Sequence, residues 1–263
     1  MRHRTAKEPV ISQSFRPGTI LAALFAAALA VGTLAGCQAP GAVPAAHGPT
    51  AGFSNPAQPG ATSDAASALA TLPVKGRAPK TGYDRVVQFG AAWTDACGDL
   101  WCRNGLDTRN DILSRDLTDV VCRTPVPAAA PHCVVGSGTL ADPYTGTTIS
   151  FVRGSATSSA VQIDHRVALS NAWQTGAQQL SQQQRIDLAN DPLNLQSTDG
   201  PTNQAKGDGD AATWLPPHKG YRCDYVAHQI AVKKKYSLWV TRAEHDAMAS
   251  VLASCPGQAL PTA

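Results

Sequence analysis

Four residues in the second half of the chain carry the chemical groups that phosphodiester hydrolysis requires. Asp164 and His165 are adjacent, and Asn194 and Asn203 follow them in order. An imidazole is suited to act as a general base because it titrates near neutral pH. A carboxylate and a carboxamide oxygen suit a hard cation, which can stabilise the charge that develops on phosphate. This order of residues therefore points to phosphodiester hydrolysis with a His base and one divalent metal ion.

Each of these side chains has a separate expected task. His165 would take a proton from the attacking water, while Asp164 would point to the opposite side of an extended strand and bind the metal. Asn203 would be the second metal ligand, and Asn194 would hydrogen-bond across the loop to hold the His165 backbone. Lys206 lies one helical turn after Asn203, so we expect it on the same face, where it could meet a phosphate. Taken singly, each residue would be an ordinary turn or capping residue, and only their joint order favours a site.

The pattern of apolar residues and turn signals predicts a mixed α+β domain that positions these groups. The segments expected to be strands are 132–140, 147–152, 161–163 and 193–195. The segments expected to be helices are 107–117, 170–178, 181–190, 202–206, 221–236 and 241–254. The turn signal at 142–146 makes the first two strands a hairpin. The Asp–His pair then lies at or just past the end of the third strand.

The first 36 residues predict an export signal. Positive residues precede an apolar run at 20–32, which is shorter than the ~20 residues that a membrane-spanning helix needs. The run ends in a Leu-Ala-Gly-Cys sequence that resembles the lipobox of bacterial lipoprotein signal peptides. The resemblance implies cleavage before Cys37, a lipid on that residue, and a protein held at the outer face of the cytoplasmic membrane or cell envelope by its lipid alone. An ordinary secretory signal and an uncleaved anchor are the alternatives.

The remaining residues divide into a tether and one domain. Residues 37–81 are mostly Ala, Pro, Gly, Ser and Thr, which bury too little apolar surface to offset the entropy of folding. We therefore expect a disordered tether there. Residues 82–257 are long enough for one domain with its own core.

Charge gives little overall attraction for nucleic acid. The formal net charge is +3, but four of the 22 Lys and Arg residues and only one of the 19 Asp and Glu residues lie within residues 1–36. The rest of the chain is therefore neutral, and any surface that attracts phosphate must be local. The Lys run at 233–235 predicts a solvated helix face, with a phosphate-contacting patch as the alternative.

Seven cysteines are an odd number, and setting Cys37 aside leaves six in an exported domain. Three disulfides are the expectation in an oxidising compartment. The sequence alone does not choose among the 15 possible pairings. Cys223 with Cys255 is the best single pair, and a Cys122–Cys133 pair would staple the hairpin, leaving Cys97 with Cys102. A zinc cluster built from the first four of these cysteines is the alternative, although it lacks any Cys-x-x-Cys pair.

The same residues resemble the HNH, or ββα-metal, endonuclease family. Asp164–His165, Asn194 and Asn203 fall in order on its metal and base, structural, and last metal positions. A closer resemblance is to a secreted bacterial branch related to the C-terminal nuclease domain of GmrSD-type restriction enzymes. The matching segments are DHRVALSNAW at 164–173, NDPLNL at 190–195, NQAKGD at 203–208 and WLPP at 214–217, with DTRND at 107–111 and DPYTG at 142–146 upstream of them. The resemblance implies a small ββα-metal core with an upstream β-hairpin and flanking helices, stapled by disulfides.

By this resemblance the chain would be an extracytoplasmic endonuclease that cuts nucleic acid, with DNA favoured over RNA, and leaves 5′-phosphate ends. Asn203 stands where a strict HNH motif has His, which favours Mg²⁺, and then Mn²⁺, over Zn²⁺. Leu106 stands where the branch has Cys, so the disulfide pattern is not carried over. Arg109 and Arg166 are weaker candidates for phosphate contacts.

A non-catalytic alternative is a surface lipoprotein that binds nucleic acid or another anionic ligand without cutting it. The neutral charge of the chain after residue 36 argues against this alternative, because simple capture depends on neutralising phosphates. The sequence carries no signal for the oligomeric state.

Overall fold

The computed structural model describes residues 64–99, 101–123 and 132–262, and these residues fold as one α+β body with two small antiparallel sheets. The predicted fold class is therefore confirmed. The export signal, Cys37 and the tether as far as residue 63 lie outside the described residues. Over the ranges that are described, no helix combines the length and the apolar character needed to cross a membrane.

Eight helices and five strands are present among the described residues. The helices are α1 (Ala65–Leu69), α2 (Arg85–Phe89), α3 (Thr108–Asp116), α4 (Leu169–Gln174), α5 (Gln182–Asn190), α6 (Gly200–Lys206), α7 (Arg222–Lys235) and α8 (Arg242–Leu252). The strands are β1 (Leu117–Cys122), β2 (Val135–Ala141), β3 (Thr148–Val152), β4 (Val161–His165) and β5 (Leu195–Asp199). Single 3₁₀ turns lie at Ser158–Ala160, Ala177–Gln179 and Lys219–Tyr221.

The first sheet has three strands in the order β1-β2-β3, with both pairs antiparallel. The hairpin of β2 and β3 is the one predicted, and the Asp142 carboxylate accepts hydrogen bonds from Tyr144 and Thr145 in its turn. Strand β1 is an addition that the sequence analysis missed. Its register shifts between Thr118 and Val121, and Asp119 adopts a φ of 52°. This irregularity interrupts the alternation by which a strand is recognised.

The second sheet pairs β4 with β5 in antiparallel register, so that His165 lies opposite Leu195. Helix α6 follows β5 directly, because the Asp199 side chain caps it by accepting from the Thr202 amide, with Pro201 in its first turn. The order strand, strand, helix is as predicted. The second strand, however, begins at Leu195 and not at residue 193, so placing Asn194 on that strand was wrong. The Asn194 amide instead closes a turn on the carbonyl of Asp191.

Helices α4 and α5 connect the two strands of this sheet. The helix expected over 170–178 is broken, because Gly176 has a φ of 132° and lies against Leu238 and Trp239, where a Cβ would be 3.2 Å from each side chain. Helix α5 begins where predicted. Ser181 and Gln184 form a reciprocal capping box there.

The C-terminal helices α7 and α8 pack against each other. Tyr225 and Trp239 are buried. The two helices are also joined by an ion pair of 3.0 Å between Lys233 and Glu244, both fully buried. The Thr241 side chain caps α8 as part of a second capping box with Glu244.

The three predicted disulfides are confirmed. The pairs are Cys97–Cys102, Cys122–Cys133 and Cys223–Cys255. The zinc-cluster alternative is excluded by this pairing, since all four of its cysteines are used. The last pair ties the start of α7 to the chain just after α8.

The tether boundary at residue 81 needs correction, because the folded body already includes residue 64. Helix α1 packs against α7 and α8, and Asp64 forms a bridge with Ala259. Its residues Ala65, Ala68 and Leu69 are buried at the spacing of one helical face, and Leu72, which follows the helix, is buried as well. The composition wrongly predicted a tether here, because small alanines form much of the contact of α1 with α7 and α8, and this segment has only two leucines as large apolar residues.

Candidate active site

A cleft of about 460 Å³ contains Asp164, His165 and Asn203, three of the predicted site residues. The first two lie at the end of β4, and Asn203 lies on α6. Residues from the N-terminal part of the domain, among them Arg85 and Trp93, form another part of the lining. Asn194 and Lys206 do not line this cleft.

The Asp164 carboxylate is held by two buried donors. The Lys206 ammonium donates to Oδ1 at 2.9 Å, and the Tyr144 hydroxyl donates to Oδ2 at 2.6 Å. Burial, and then the charge of Asp164, raises the pKa of Tyr144 well above its usual value, so the hydroxyl stays protonated. Asp164 therefore keeps one fixed orientation.

The position of Lys206 corrects the expectation that it meets a phosphate. Its ammonium is fully buried and also donates to the backbone carbonyl of His165 at 2.8 Å. Lys206 and Asn203 both lie on α6, but the Lys206 side chain reaches Asp164 and the His165 carbonyl on β4 and does not line the cleft. Lys206 thus acts as the buried counter-ion of Asp164 and fixes the backbone of the Asp–His pair.

The His165 ring is fixed by a hydrogen bond and a stacking contact. Nε2 lies 2.9 Å from the carbonyl of Ala189, and because a carbonyl only accepts, Nε2 must carry the proton. The Trp93 ring stacks on the imidazole with 5.6 Å between ring centres. Nδ1 forms no hydrogen bond with the described residues, and it is not fully buried. Because His165 lines the cleft, Nδ1 opens to it.

The electrostatic surroundings keep His165 neutral. Burial, and then the positive charge of Arg85, lowers the pKa of His165 to about 4. Above that pH the ring is uncharged, with a lone pair on Nδ1. This is the protonation state that a general base requires.

Asn194, just before β5, is hydrogen-bonded to the residues that follow β4. Its side-chain oxygen accepts from the Val167 amide and its backbone oxygen accepts from the Arg166 amide, both at 2.8 Å. Its amide nitrogen donates to the carbonyls of Val167 and Leu188. It holds the chain immediately after His165 and makes no contact with the cleft.

Asn203 presents an oxygen atom to the cleft. Its amide nitrogen donates to the Gln162 side chain at 2.9 Å, and Oδ1 has no donor among the described residues. Asp164 and Asn203 therefore fit a hard divalent cation that takes few protein ligands. No cluster of three or more His, Cys, Asp or Glu residues suited to a metal occurs within the described ranges. Such a cation would accordingly complete its coordination with water and phosphate oxygens.

The other cationic candidates are occupied by structural contacts. Arg166 is buried and donates to the carbonyls of Leu193 and Leu195 and to Gln196, so it is not a phosphate contact. Arg109 lines the cleft, but its guanidinium donates to the carbonyls of Ser158 and Val161.

The Lys run at 233–235 is neither a solvated face nor a phosphate patch as a whole. Lys233 is buried with Glu244, and Lys235 bridges Asp99 and Asp191 at 2.7 and 2.8 Å. Only Lys234 of the three is exposed without a recorded partner in the described structure.

Tyr144, Gln162, Arg85 and Trp93 were not identified as site residues by sequence reasoning. Tyr144 lies within the 142–146 segment that matched the nuclease branch, which was the one available signal for it. Gln162 precedes Asp164 by two positions, so strand alternation places both on one face. Arg85 and Trp93 are distant in sequence and carried no local signal.

Two antiparallel strands and a helix that bring together an Asp–His pair and an Asn define an HNH-type nuclease domain. The family model for the C-terminal domain of GmrSD restriction endonucleases matches residues 107–251, and the chain belongs to this family. A protein of Arthroderma benhamiae described as an uncharacterized secreted protein is 37% identical over 196 residues, which are 73% of this chain and 85% of that protein. This relative is fungal, so the bacterial origin of the branch stays a prediction. No solved structure matches the chain.

Proposed function

We propose that the folded domain is an extracytoplasmic endonuclease that hydrolyses phosphodiester bonds of nucleic acid, with DNA as the preferred substrate. The observation that carries this proposal is the free Nδ1 of a neutral His165, which opens to the same cleft as Asp164 and Asn203. Membership of the GmrSD C-terminal family supports a nuclease activity.

The protein's own residues would prepare the attack on phosphorus. His165 accepts a proton from water at Nδ1, while the hydrogen bond from Nε2 to Ala189 and the Trp93 stack prevent the ring from turning. Positioning of this kind removes much of the entropy cost of bringing a base and water together. Asn194 keeps the backbone beyond His165 in place.

Asp164 and Asn203 would hold a divalent cation, with Mg²⁺ preferred and Mn²⁺ as a substitute, because both donors are hard oxygen atoms. Such a cation would stabilise the negative charge that develops on the phosphate and on the departing 3′ oxygen. Lys206 and Tyr144 hold the Asp164 carboxylate in position for this task.

The test compares His165→Ala with His218→Ala, because His218 is an exposed histidine that lies outside the cleft lining. We expect wild-type protein and His218→Ala to nick plasmid DNA with Mg²⁺. His165→Ala should lose about 10²–10⁴-fold in kcat, the usual contribution of a general base. EDTA should abolish cleavage by all three proteins.

Cleavage in EDTA, or cleavage by His165→Ala at the wild-type rate, would contradict this mechanism. Binding of DNA without turnover in Mg²⁺, Mn²⁺, Ca²⁺ and Zn²⁺ would instead favour a binding protein. Parallel assays on single- and double-stranded DNA and RNA would test the preference for DNA.

We further propose that the protein acts outside the cytoplasm, anchored by a lipid on Cys37. The three disulfides and the secreted description of the Arthroderma benhamiae protein support export. Labelled fatty acid should be incorporated by wild-type cells, and Cys37→Ser should lose the label and appear in the medium. Equal labelling of the two proteins would exclude this residue as the anchor.

A further inference from the structure

Arg85 is the first residue of α2 and lines the same cleft as His165. Its side chain is exposed, and its guanidinium lies 5.8 Å from the centre of the Trp93 ring. No hydrogen bond or ion pair is recorded for this guanidinium in the described part of the chain. Its five N–H donors therefore have no acceptor among the described residues.

The other cationic groups in and around the cleft differ from Arg85 in this respect. Lys206 is buried on Asp164, Arg109 is bound to backbone carbonyls, and Lys80 pairs with the cleft residue Asp208 at 3.1 Å. Among the described residues that line the cleft, Arg85 is thus the cation whose charged group has no hydrogen-bond or ion-pair partner.

Helix α2 is held firmly enough for Arg85 to have a defined position. Phe89 is buried in a core cluster with Trp173 and Leu188, next to the candidate site. The carbonyls of Val87 and Gln88 accept hydrogen bonds from side chains of the α5 region, which are Gln182 and Arg185. These contacts fix α2 to α5. The carbonyl of Ala189, in the last turn of α5, accepts the hydrogen bond from the His165 ring.

Trp93 connects Arg85 to the candidate base. The ring stacks on His165 on the one hand and contacts the Arg85 guanidinium on the other. Trp93 adopts a φ of 59°, a strained conformation for a bulky residue, which the surrounding loop must enforce. The Trp93 carbonyl accepts from the Thr108 amide, and this contact fixes the loop to α3.

We propose that Arg85 binds a backbone phosphate of the nucleic-acid substrate, beside the phosphodiester that is attacked by the water His165 deprotonates. This inference rests on the proposed function, and it adds a substrate-binding residue that lies outside the 107–251 segment matched by the family model. A guanidinium suits the role because it can donate two parallel hydrogen bonds to phosphate oxygens while one face rests on an aromatic ring. Contact with the Trp93 ring would hold the Arg85 guanidinium in the cleft.

The test measures equilibrium binding of a fluorescent DNA duplex to the full-length protein across a salt series, in EDTA so that no turnover occurs. Arg85→Met keeps the packing on Trp93 and removes the charge, and Arg85→Lys keeps the charge. Arg242→Met on α8 is the matched control, because this exposed arginine forms only a 3.9 Å pair with Asp246, far along the chain from the cleft residues.

Loss of one phosphate contact should lower the slope of log K against log salt by about 0.9 for duplex DNA. We therefore expect Arg85→Met to show that change together with weaker binding, of about tenfold near physiological salt. Arg85→Lys should keep most of the slope, and Arg242→Met should match the wild type. In Mg²⁺, Arg85→Met should raise KM.

A slope and affinity for Arg85→Met that equal those of the wild type, or a wild type that does not bind the duplex, would overturn the inference about Arg85. The proposed function is tested separately, by cleavage in Mg²⁺. Cleavage with an unchanged slope would refute the Arg85 role alone, whereas a changed slope without cleavage would support it and refute the nuclease.

Discussion

At the scale of single residues, Asp164 is the group on which the candidate site depends most. It would bind a cation from the cleft, yet it is buried and already receives a charged and a neutral hydrogen bond from behind. The sequence predicted Asp164 as a metal ligand and Lys206 as a phosphate contact, but it did not predict that the two side chains bind each other. Their contact depends on how α6 packs onto β4, which the spacing of residues along α6 alone does not determine.

We predict that Lys206→Met destabilises the fold through this pair. Removing one partner of a buried ion pair leaves an uncompensated charge and costs about 3–5 kcal/mol. Urea denaturation followed by tryptophan fluorescence would measure the change in the free energy of unfolding. The double variant Lys206→Met/Asp164→Asn should recover part of the loss, since it removes the second charge as well.

Lys234→Met is the control, because this lysine is exposed and has no recorded partner in the described structure. It should unfold at nearly the same urea concentration as the wild type. If Lys206→Met also does so, the Lys206 ammonium is not the buried counter-ion that its contacts indicate.

At the scale of elements, the sequence predicted those whose signals are local. The capping box of Ser181 and Gln184 starts α5 as expected, and the turn at 142–146 makes the hairpin, because each signal lies within a few residues. Elements shaped by distant contacts were wrong or missed. Gly176 ends α4 early against Leu238 and Trp239, and the bulged strand β1 finds its register only by pairing with β2.

The elements of the site follow the same division. Strand β4, helix α6 and the residues they carry could be placed from Asp164–His165, Asn203 and Pro201, which mark their ends in the sequence. The side of the cleft formed by α2 and Trp93 could not, because its position relative to His165 comes from packing between segments more than 70 positions apart.

At the scale of the whole molecule, the domain joins a family segment to an N-terminal part that the family model does not cover. Residues 107–251 carry Asp164, His165 and Asn203, whereas α1, α2 and Trp93 precede that segment. The N-terminal part both completes the cleft and seals the core between α7 and α8. Its removal should therefore affect stability and substrate binding together.

We predict that a chain beginning at Asp64 retains the stability of the natural fold, whereas a chain beginning at Gly82 loses it. The shorter chain lacks Leu69 and Leu72, and burying a leucine contributes about 1.5–3 kcal/mol, so the loss should reach at least about 3 kcal/mol. It also lacks the 2.6 Å pair of Arg77 with the buried Asp210. Thermal and urea unfolding of the two chains would measure the difference.

Leu69→Ala in the longer chain separates the contribution of α1 from that of chain length. This substitution leaves a cavity in the core cluster between α1, α7 and α8, and we expect it to cost about 2–5 kcal/mol. Equal unfolding midpoints for all three proteins would mean that residues 64–81 add nothing to the fold. If the shorter chain is as unstable as predicted and the stability of Leu69→Ala lies between those of the two chains, the domain starts at α1. The core that supports His165 would then depend on this helix.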